Sequence, residues 1–264
     1  PRGIAHAIRL CKEFVNNEKF LVFLGDNIIQ KPITNFVENF TKSDYDATVL
    51  LCEVDNPSRF GIADVENEKI IKITEKPKKP ISNLAVTGIY LLTPQIFEVI
   101  DNLKPSWRNE LEITDALDNL LKQNDNIGYE TITDYWKDTG TPEDILNANR
   151  QVLEHICNDL LEPCIIDKST NIVITNSVIT PLIIGKNCKI DKSAQVGPSV
   201  SIGDNTIISS GVSIENSIIM SDCKIDGGLH IKDSIISANC HLRGNNKDKT
   251  KKVFLLGEGT QISL

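Results

Sequence analysis

The chain has 264 residues, 40% of them hydrophobic and 24% charged, enough for two domains with cores of ordinary size. Its formal net charge is -8, from 28 basic and 36 acidic residues, which excludes the basic footprint of a nucleic-acid binder. No apolar run approaches the roughly 20 residues of a membrane-spanning helix, and no signal peptide opens the sequence, so no membrane partner is expected. Seven cysteines (Cys11, Cys52, Cys157, Cys164, Cys188, Cys223 and Cys240) make an odd set without a Cys-x-x-Cys. That pattern favours reduced thiols, most of them small core residues, and a cytoplasmic location over disulfides or zinc.

Pro1-Arg2-Gly3 reads as a turn into a helix with Ile4, Ala7, Ile8, Cys11 and Val15 on one face. The run from Phe20 to Leu24 has the length of a buried strand and ends at Gly25-Asp26-Asn27. Ligands of open α/β sheets sit beyond the carboxyl ends of the strands. Asp26 is thereby placed at a crevice rim, where a carboxylate suits a hard cation such as Mg²⁺. A strand-ending turn without chemistry is the plain alternative. A second amphipathic segment (Ile33, Phe36, Val37, Phe40) and an apolar strand from Ala47 to Cys52 follow. Helix, strand, helix, strand predicts parallel βαβ units of Rossmann-like type.

The pattern then changes. Phe60 to Ala63 and Ile70 to Thr74 flank Glu66-Asn67-Glu68-Lys69, which reads as a hairpin, and Glu75-Lys76-Pro77 ends its second strand. Lys78-Lys79-Pro80 extends a basic, proline-stiffened loop. A strand from Ala85 to Leu91 leads to a helix opened by Thr93-Pro94, and Glu110 to Asp115 leads to another with Leu117, Leu120 and Leu121. Asp138 ends a short extended segment. Thr141 caps the helix after it, with Pro142 in the first position, Glu143 and Asp144 in the first turn, and Ile145, Ala148 and Val152 on one face. Two strand-end aspartates, Asp26 and Asp138, can hold one metal if their strands converge.

From Glu162 the chain becomes periodic. Ile166, Ile172, Val178, Ile184, Ile190, Val196, Ile202, Ile208, Ile214 and Met220 recur at every sixth position. Smaller residues (Cys188, Ala194, Val200, Thr206, Val212) stand four later. A six-residue repeat predicts a parallel β-helix, and aliphatic residues followed by glycine (Gly185, Gly197, Gly203) resemble the left-handed hexapeptide type. The register is expected to loosen after Met220, with a polar excursion at Asn245 to Lys249. His230 and His241 fall outside the regular repeat on this reading and are the candidate bases should the β-helix carry acyl transfer. Oligomerisation is the favoured role of the β-helix.

Six blocks carry a family resemblance. Pro1 to Ala7, Leu24-Gly25-Asp26-Asn27, Arg59-Phe60-Gly61, Glu75-Lys76-Pro77, Val86-Thr87-Gly88-Ile89-Tyr90 and Trp136-Lys137-Asp138-Thr139-Gly140 occur in the order found in sugar-1-phosphate nucleotidyltransferases. Leu103 to Asp115 resembles glucose-1-phosphate thymidylyltransferases, and Phe254 to Thr260 looks like the terminus of their long form. The resemblance implies a Rossmann-like nucleotidyltransferase domain over 1–155 and a left-handed parallel β-helix of hexapeptide repeats over 156–264. It implies Mg²⁺ on Asp26 and Asp138, and a nucleobase contact at the backbone of Gly3. Sugar contacts are implied at Gly61, Glu75 and Val86, cations for the sugar phosphate at Lys76 and Arg108, a sugar-lining aromatic at Trp136, and a further substrate contact at Asn27. The implied reaction joins dTTP and glucose-1-phosphate into dTDP-glucose and pyrophosphate. Alternatives are a UDP- or GDP-sugar pyrophosphorylase, a bifunctional nucleotidyl/acyltransferase, or a non-catalytic regulatory subunit.

The chain departs from that family at several points. The first strand, the glycine-rich loop and the base-reading glutamine have no counterpart here, so the chain is expected to be an N-terminally truncated fragment with little or no activity alone. His6 stands where glutamine is usual, and Phe60 where tyrosine is common.

Overall fold

The structure, a computed structural model, describes residues 2–124, 126–161, 164–172, 178–245 and 250–264. Pro1, Glu162 and residues 246–249 of the polar excursion lie outside the described residues. The chain divides into two compact units, Pro1–Asp138 and Thr139–Leu264.

The first unit is a mixed sheet with helices on both faces. Its elements are α1 (Ile4–Leu10), α2 (Lys12–Val15), β1 (Phe20–Phe23), β2 (Asn27–Ile29), α3 (Thr34–Lys42), β3 (Ala47–Glu53), β4 (Gly61–Glu66), β5 (Lys69–Glu75), β6 (Leu84–Leu92), α4 (Gln95–Asp101), α5 (Ile113–Asn124), β7 (Ile127–Thr131) and β8 (Trp136–Asp138). The sheet order is β5-β4-β6-β3-β7, with β1 also on β6. Leu92 pairs with both Phe20 and Ala47, so β1 and β3 lie on opposite edges of β6 and run antiparallel to it. The expected parallel βαβ arrangement is present, since β1 and β3 run the same way and are joined through α3, with β6 lying between them. The helix between β1 and β3 carries the chain across an intervening strand that arrives later in the sequence, and among the described strands of this sheet β3 and β7 are the pair bonded in parallel.

Period-2 burial sorts the two cores. Val49, Leu51, Val86, Tyr90 and Leu92 face α1, α4 and α5, packing with Ile8, Phe97, Leu117 and Leu120. Leu50, Cys52, Ala85, Ile89 and Leu91 face α3, where Phe40 is buried and Ile33, Phe36 and Val37 pack at the edge. In α1 the buried residues are Ala5 and Ile8, whereas Ala7 and Cys11 face solvent, so the apolar stripe is shifted from the one expected. β1 is less covered than a buried strand: Leu21 and Phe23 remain 40% and 41% exposed. The hairpin turn at Asn67-Glu68 has φ of 48° and 62°, the two left-handed positions of a type I′ turn. Thr93 does not cap α4 through its side chain. Its hydroxyl donates to the Asp46 carbonyl instead.

In the second unit, α6 (Pro142–Leu160) is capped by Thr141, whose hydroxyl oxygen accepts from the Asp144 amide. Its buried stripe runs through Leu146, Ala148, Leu153 and Cys157, while Ile145 is exposed. The helix packs on strands 200–202 and 217–219, where Asn149 accepts from the Ser201 hydroxyl at 2.6 Å. Residues 155 and 156, the boundary read from the sequence, both lie inside this helix.

The rest of the unit is a parallel β-helix whose coils stack into three sheets of six, five and four strands among the described residues. Ile184, Ile190, Val196, Ile202, Ile208, Ile214, Ile219, Ile225, Ile231, Ile236 and Leu242 fill its interior, all buried. The coils continue past Met220 with the loosened register expected there, and the strict six already breaks one step earlier. The steps Ile214 to Ile219 and Ile231 to Ile236 are five residues long, and Met220 is 44% exposed. Leu182 pairs with Val200, eighteen residues on, whereas Val200 pairs with Ser217, seventeen on. Both short steps pass a corner residue in the left-handed region, Asn216 (φ 42°) or Asp233 (φ 48°), and Asn216 donates to Asp233 at 2.6 Å. A second corner stacks Asn187, Asn205 and Asp222, all left-handed, through side-chain bonds of 3.3 and 3.0 Å. Five of the seven cysteines are buried, Cys164 is half-buried and Cys11 is exposed.

His230 and His241 stand on the strands His230–Lys232 and His241–Arg243, inside the repeat and not outside it. His241 Nε2 lies 2.9 Å from Asp226, which also accepts from Ser209 and pairs with Lys224 at 3.2 Å. Burial alone would raise the Asp226 carboxyl, but hydrogen bonds from Ser209, His241 and Lys224 bring it down to about 2. A carboxyl depressed on folding contributes stability above its unfolded pKa of about 3.9, and that stability is lost as the pH falls through the folded value. Asp226→Asn should therefore cost on the order of 1–2 kcal/mol at pH 7. Urea unfolding at stepped pH should show the gap between wild type and variant closing between about pH 4 and about 2.

Candidate functional site

The site is built around two three-residue strands. β2 pairs antiparallel with β8, placing Asn27 opposite Asp138 and Ile29 opposite Trp136. Asp26 directly precedes Asn27, so the two aspartates, distant in sequence, sit at one end of a single ribbon. Both line a cleft of about 220 Å³ in the first unit.

Asn27 joins this ribbon to the main sheet. Its Oδ1 accepts from the Gly88 amide of β6 at 3.0 Å and from Trp136 Nε1 at 2.7 Å. Its Nδ2 donates to Asp26 Oδ1 at 2.9 Å. Gly88 is required for this approach, because a Cβ there would meet Asn27 Nδ2 at 2.3 Å. The Trp136 ring is buried and packs edge-on against Phe60, with ring centroids 5.5 Å apart.

The opposite part of the cleft carries mixed charge. Glu75 ends β5, and its Oε2 accepts from the Thr114 hydroxyl of α5 at 2.9 Å. Gly61 on β4 admits Thr114, whose Cγ2 would stand 2.4 Å from a Cβ at that position. The Arg108 guanidinium sits 3.4 Å from each of Glu75, Glu110 and Glu112, and Glu112 also accepts from Ser106 at 2.9 Å. Lys76 follows Glu75 with φ 40°, a strained left-handed conformation for a non-glycine residue. Burial raises the Glu75 carboxyl. The Thr114 hydrogen bond opposes that, the Glu112 charge adds to it, and Lys76 and Arg108 oppose it. The Tyr90 phenol, buried on the cleft floor, is pushed up by burial and then by the charges of Glu75, Asp26 and Asp138.

Five carboxylates (Asp26, Glu75, Glu110, Glu112, Asp138) thus border the cleft against three cations (Arg59, Lys76, Arg108). Such a surface repels a phosphate unless a further positive charge enters with it. Asp26 and Asp138 fit that need as a donor set, because Mg²⁺ takes one or two carboxylates and completes its shell with water and phosphate oxygens. Among the described residues no group of three or more His, Cys, Asp or Glu side chains gathers into a denser metal cage.

Nine of the ten residues singled out in the sequence line this cleft: Asp26, Asn27, Gly61, Glu75, Lys76, Val86, Arg108, Trp136 and Asp138. Gly3 is not among the lining residues. It holds φ 96° at the start of α1, and a Cβ would meet the Leu111 carbonyl at 2.3 Å. The α1 start and the loop before α5 are tied there by Leu111 N–H to the Arg2 carbonyl and Ala5 N–H to the Leu111 carbonyl. The sequence reading gave no role to Gly88, Tyr90, Glu110, Glu112 and Thr114. All five lie in motif blocks already singled out, but nothing in their spacing shows which face the cleft.

Residues 1–155 match the nucleotidyl transferase family, and residues 178–263 match the GMPPB C-terminal domain. The chain belongs to the nucleotidyl transferase family. It is 37% identical to the low-salt glycan biosynthesis nucleotidyltransferase of Haloferax volcanii over 237 residues, which is 86% of this chain and 66% of that protein. It is also 37% identical to a glucose-1-phosphate thymidylyltransferase of Streptomyces antibioticus over 243 residues, again 86% of this chain and 66% of the relative. Among solved structures it is 48% identical to a Bacillus anthracis protein described as a glucose-1-phosphate thymidylyltransferase in complex with sucrose. That match has a TM-score of 0.53 and covers 56% of this chain and 60% of the other. This nucleotidyl transferase chain therefore spans just under two thirds of the length of those curated relatives.

The hydroxyl of Thr114 stabilises the ionised form of Glu75, so Thr114→Val should raise the Glu75 pKa further. A ¹³C NMR titration of glutamate carboxyls should show one resonance moving its midpoint upward. An unchanged midpoint would separate the two groups electrostatically.

Proposed function

We propose that the protein is a Mg²⁺-dependent glucose-1-phosphate thymidylyltransferase that joins dTTP and glucose-1-phosphate into dTDP-glucose with release of pyrophosphate. One observation carries this reading: Asp26 and Asp138 border the same cleft as Glu75, Lys76 and Arg108. When bound, magnesium supplies the neutralisation of phosphate charge that an acid-rich cleft lacks by itself.

The chain's own residues have distinct parts in this scheme. Asp26 and Asp138 hold the cation. Lys76 and Arg108 receive the sugar phosphate, Arg108 turning part of its guanidinium from the surrounding glutamates to the incoming oxygens. Glu75 accepts from sugar hydroxyls, Val86 and Gly61 shape the sugar pocket, and Trp136 walls it. A phosphate oxygen of the sugar attacks the α-phosphorus in line with the leaving pyrophosphate. The new P–O bond forms as the bond to pyrophosphate breaks, and no proton needs to move because the phosphate is already ionised. The preference for dTTP and glucose-1-phosphate draws support from the Streptomyces relative and the Bacillus structure, both named for that activity. The β-helix is proposed to join copies of the chain, which light scattering of the intact protein tests directly.

In the intact protein, Asp138→Ala should lower Mg²⁺-dependent release of pyrophosphate by about a hundredfold or more while leaving the far-UV circular dichroism unchanged. Assay with glucose-1-phosphate and each of dTTP, UTP, GTP and ATP should give the highest kcat/KM with dTTP. Undiminished turnover in the variant would overturn the metal role, and a preference for another nucleotide would replace the substrate.

A further inference from the structure

Asn27 is named by the sequence as a substrate contact, yet its side chain is nine-tenths buried and all three of its bonds given above are internal. The direction of its amide follows from its neighbours. Trp136 Nε1–H and the Gly88 backbone N–H can only donate, so the atom facing both must be the carbonyl oxygen. The amino group is then left pointing at Asp26 Oδ1, 2.9 Å away, with a hydrogen to give. An amide turned over would set its amino group against two other donors and its oxygen against a carboxylate.

We infer that Asn27 is a positioning residue for the cation site: its amide, locked by Trp136 and Gly88, holds the Asp26 carboxylate in the orientation in which it acts beside Asp138. The inference rests on the metal reading proposed above. It adds a coupling to that reading. Asn27 is the register partner of Asp138 through the backbone and the hydrogen-bond donor to Asp26 through the side chain, so one residue sets both carboxylates. Because its amide is turned inward, loss of Asn27 should disturb the cation and leave the sugar largely untouched.

The test is a Mn²⁺ titration of the full chain, with free Mn²⁺ read by electron paramagnetic resonance and no substrate present. Asn27→Ala should weaken Mn²⁺ binding about tenfold. Asn27→Asp, which offers an extra ligand oxygen but no hydrogen for Asp26, should not restore it. In turnover assays of the intact protein, the KM for Mg²⁺ should rise several-fold in Asn27→Ala while the KM for the sugar phosphate stays within twofold. Should Asn27→Ala fail to fold, Trp136→Phe removes one of the two donors that lock the amide and should weaken Mn²⁺ binding in the same direction.

Wild-type Mn²⁺ affinity in Asn27→Ala, tighter binding in Asn27→Asp, or a rise confined to the sugar KM would each overturn the inference and make Asn27 a spectator, a ligand or a substrate contact respectively. A wild-type chain that binds no Mn²⁺ would remove the metal reading itself, and the inference with it.

Discussion

The cleft of the first unit depends on the pairing of β2 with β8. Each strand has three residues, and an isolated ribbon of that size has little stability of its own in water. Closing the chain between Asn27 and Trp136 also costs conformational entropy, since the two are 109 residues apart. Side-chain contacts make up the difference. The indole N–H of Trp136 bonds to Asn27, the Trp136 ring packs on Phe60, and the Asn27 amide is tied to the backbone of β6 through Gly88. The ribbon is thereby fastened to the central strand of the sheet, and the acids at its end acquire fixed places.

The remainder of the cleft shows a different balance. Arg108 is shared among three carboxylates at 3.4 Å each, longer than the 2.7–2.9 Å typical of a tight charge-assisted hydrogen bond. A guanidinium held loosely by several partners can exchange one of them for an incoming anion at small cost, whereas a single tight pair would resist. Lys76 stands beside it in a left-handed conformation that costs about 1–3 kcal/mol. Its backbone amide bonds to the Phe60 carbonyl, so the adjoining strand holds it in that shape. Stability has been given up locally in a place where the neighbours enforce the geometry.

The sequence and the structure agree best where chemistry and periodicity coincide. Asp26 and Asp138 are legible because each follows an extended segment, and the hairpin, the α6 cap and the β-helix interior are legible because turn residues, a capping threonine and a six-residue spacing each have a physical cause. Strand order is not legible in the same way. β6 enters between β1 and β3 only because its two edges offer partners to both, and nothing local to β1 or β3 announces it. The inward direction of Asn27 and the close approach at Gly88 were hidden for a related reason. They arise from contacts between elements far apart in the chain, and a glycine in a strand looks the same whether it admits a side chain or merely weakens the sheet.

The two shortened coils of the β-helix have a bearing on how such a solid tolerates change in length. Both omissions fall at the same edge of the prism, beside Asn216 and Asp233, while the residues on its flat sides remain stacked rung upon rung. The coil that follows is longer, with His230 paired to Lys251, and the stacking on its sides also survives. Length can thus be taken from the bends without disturbing the walls. The rims are the part of this unit free to vary, and the walls are the part that must keep count.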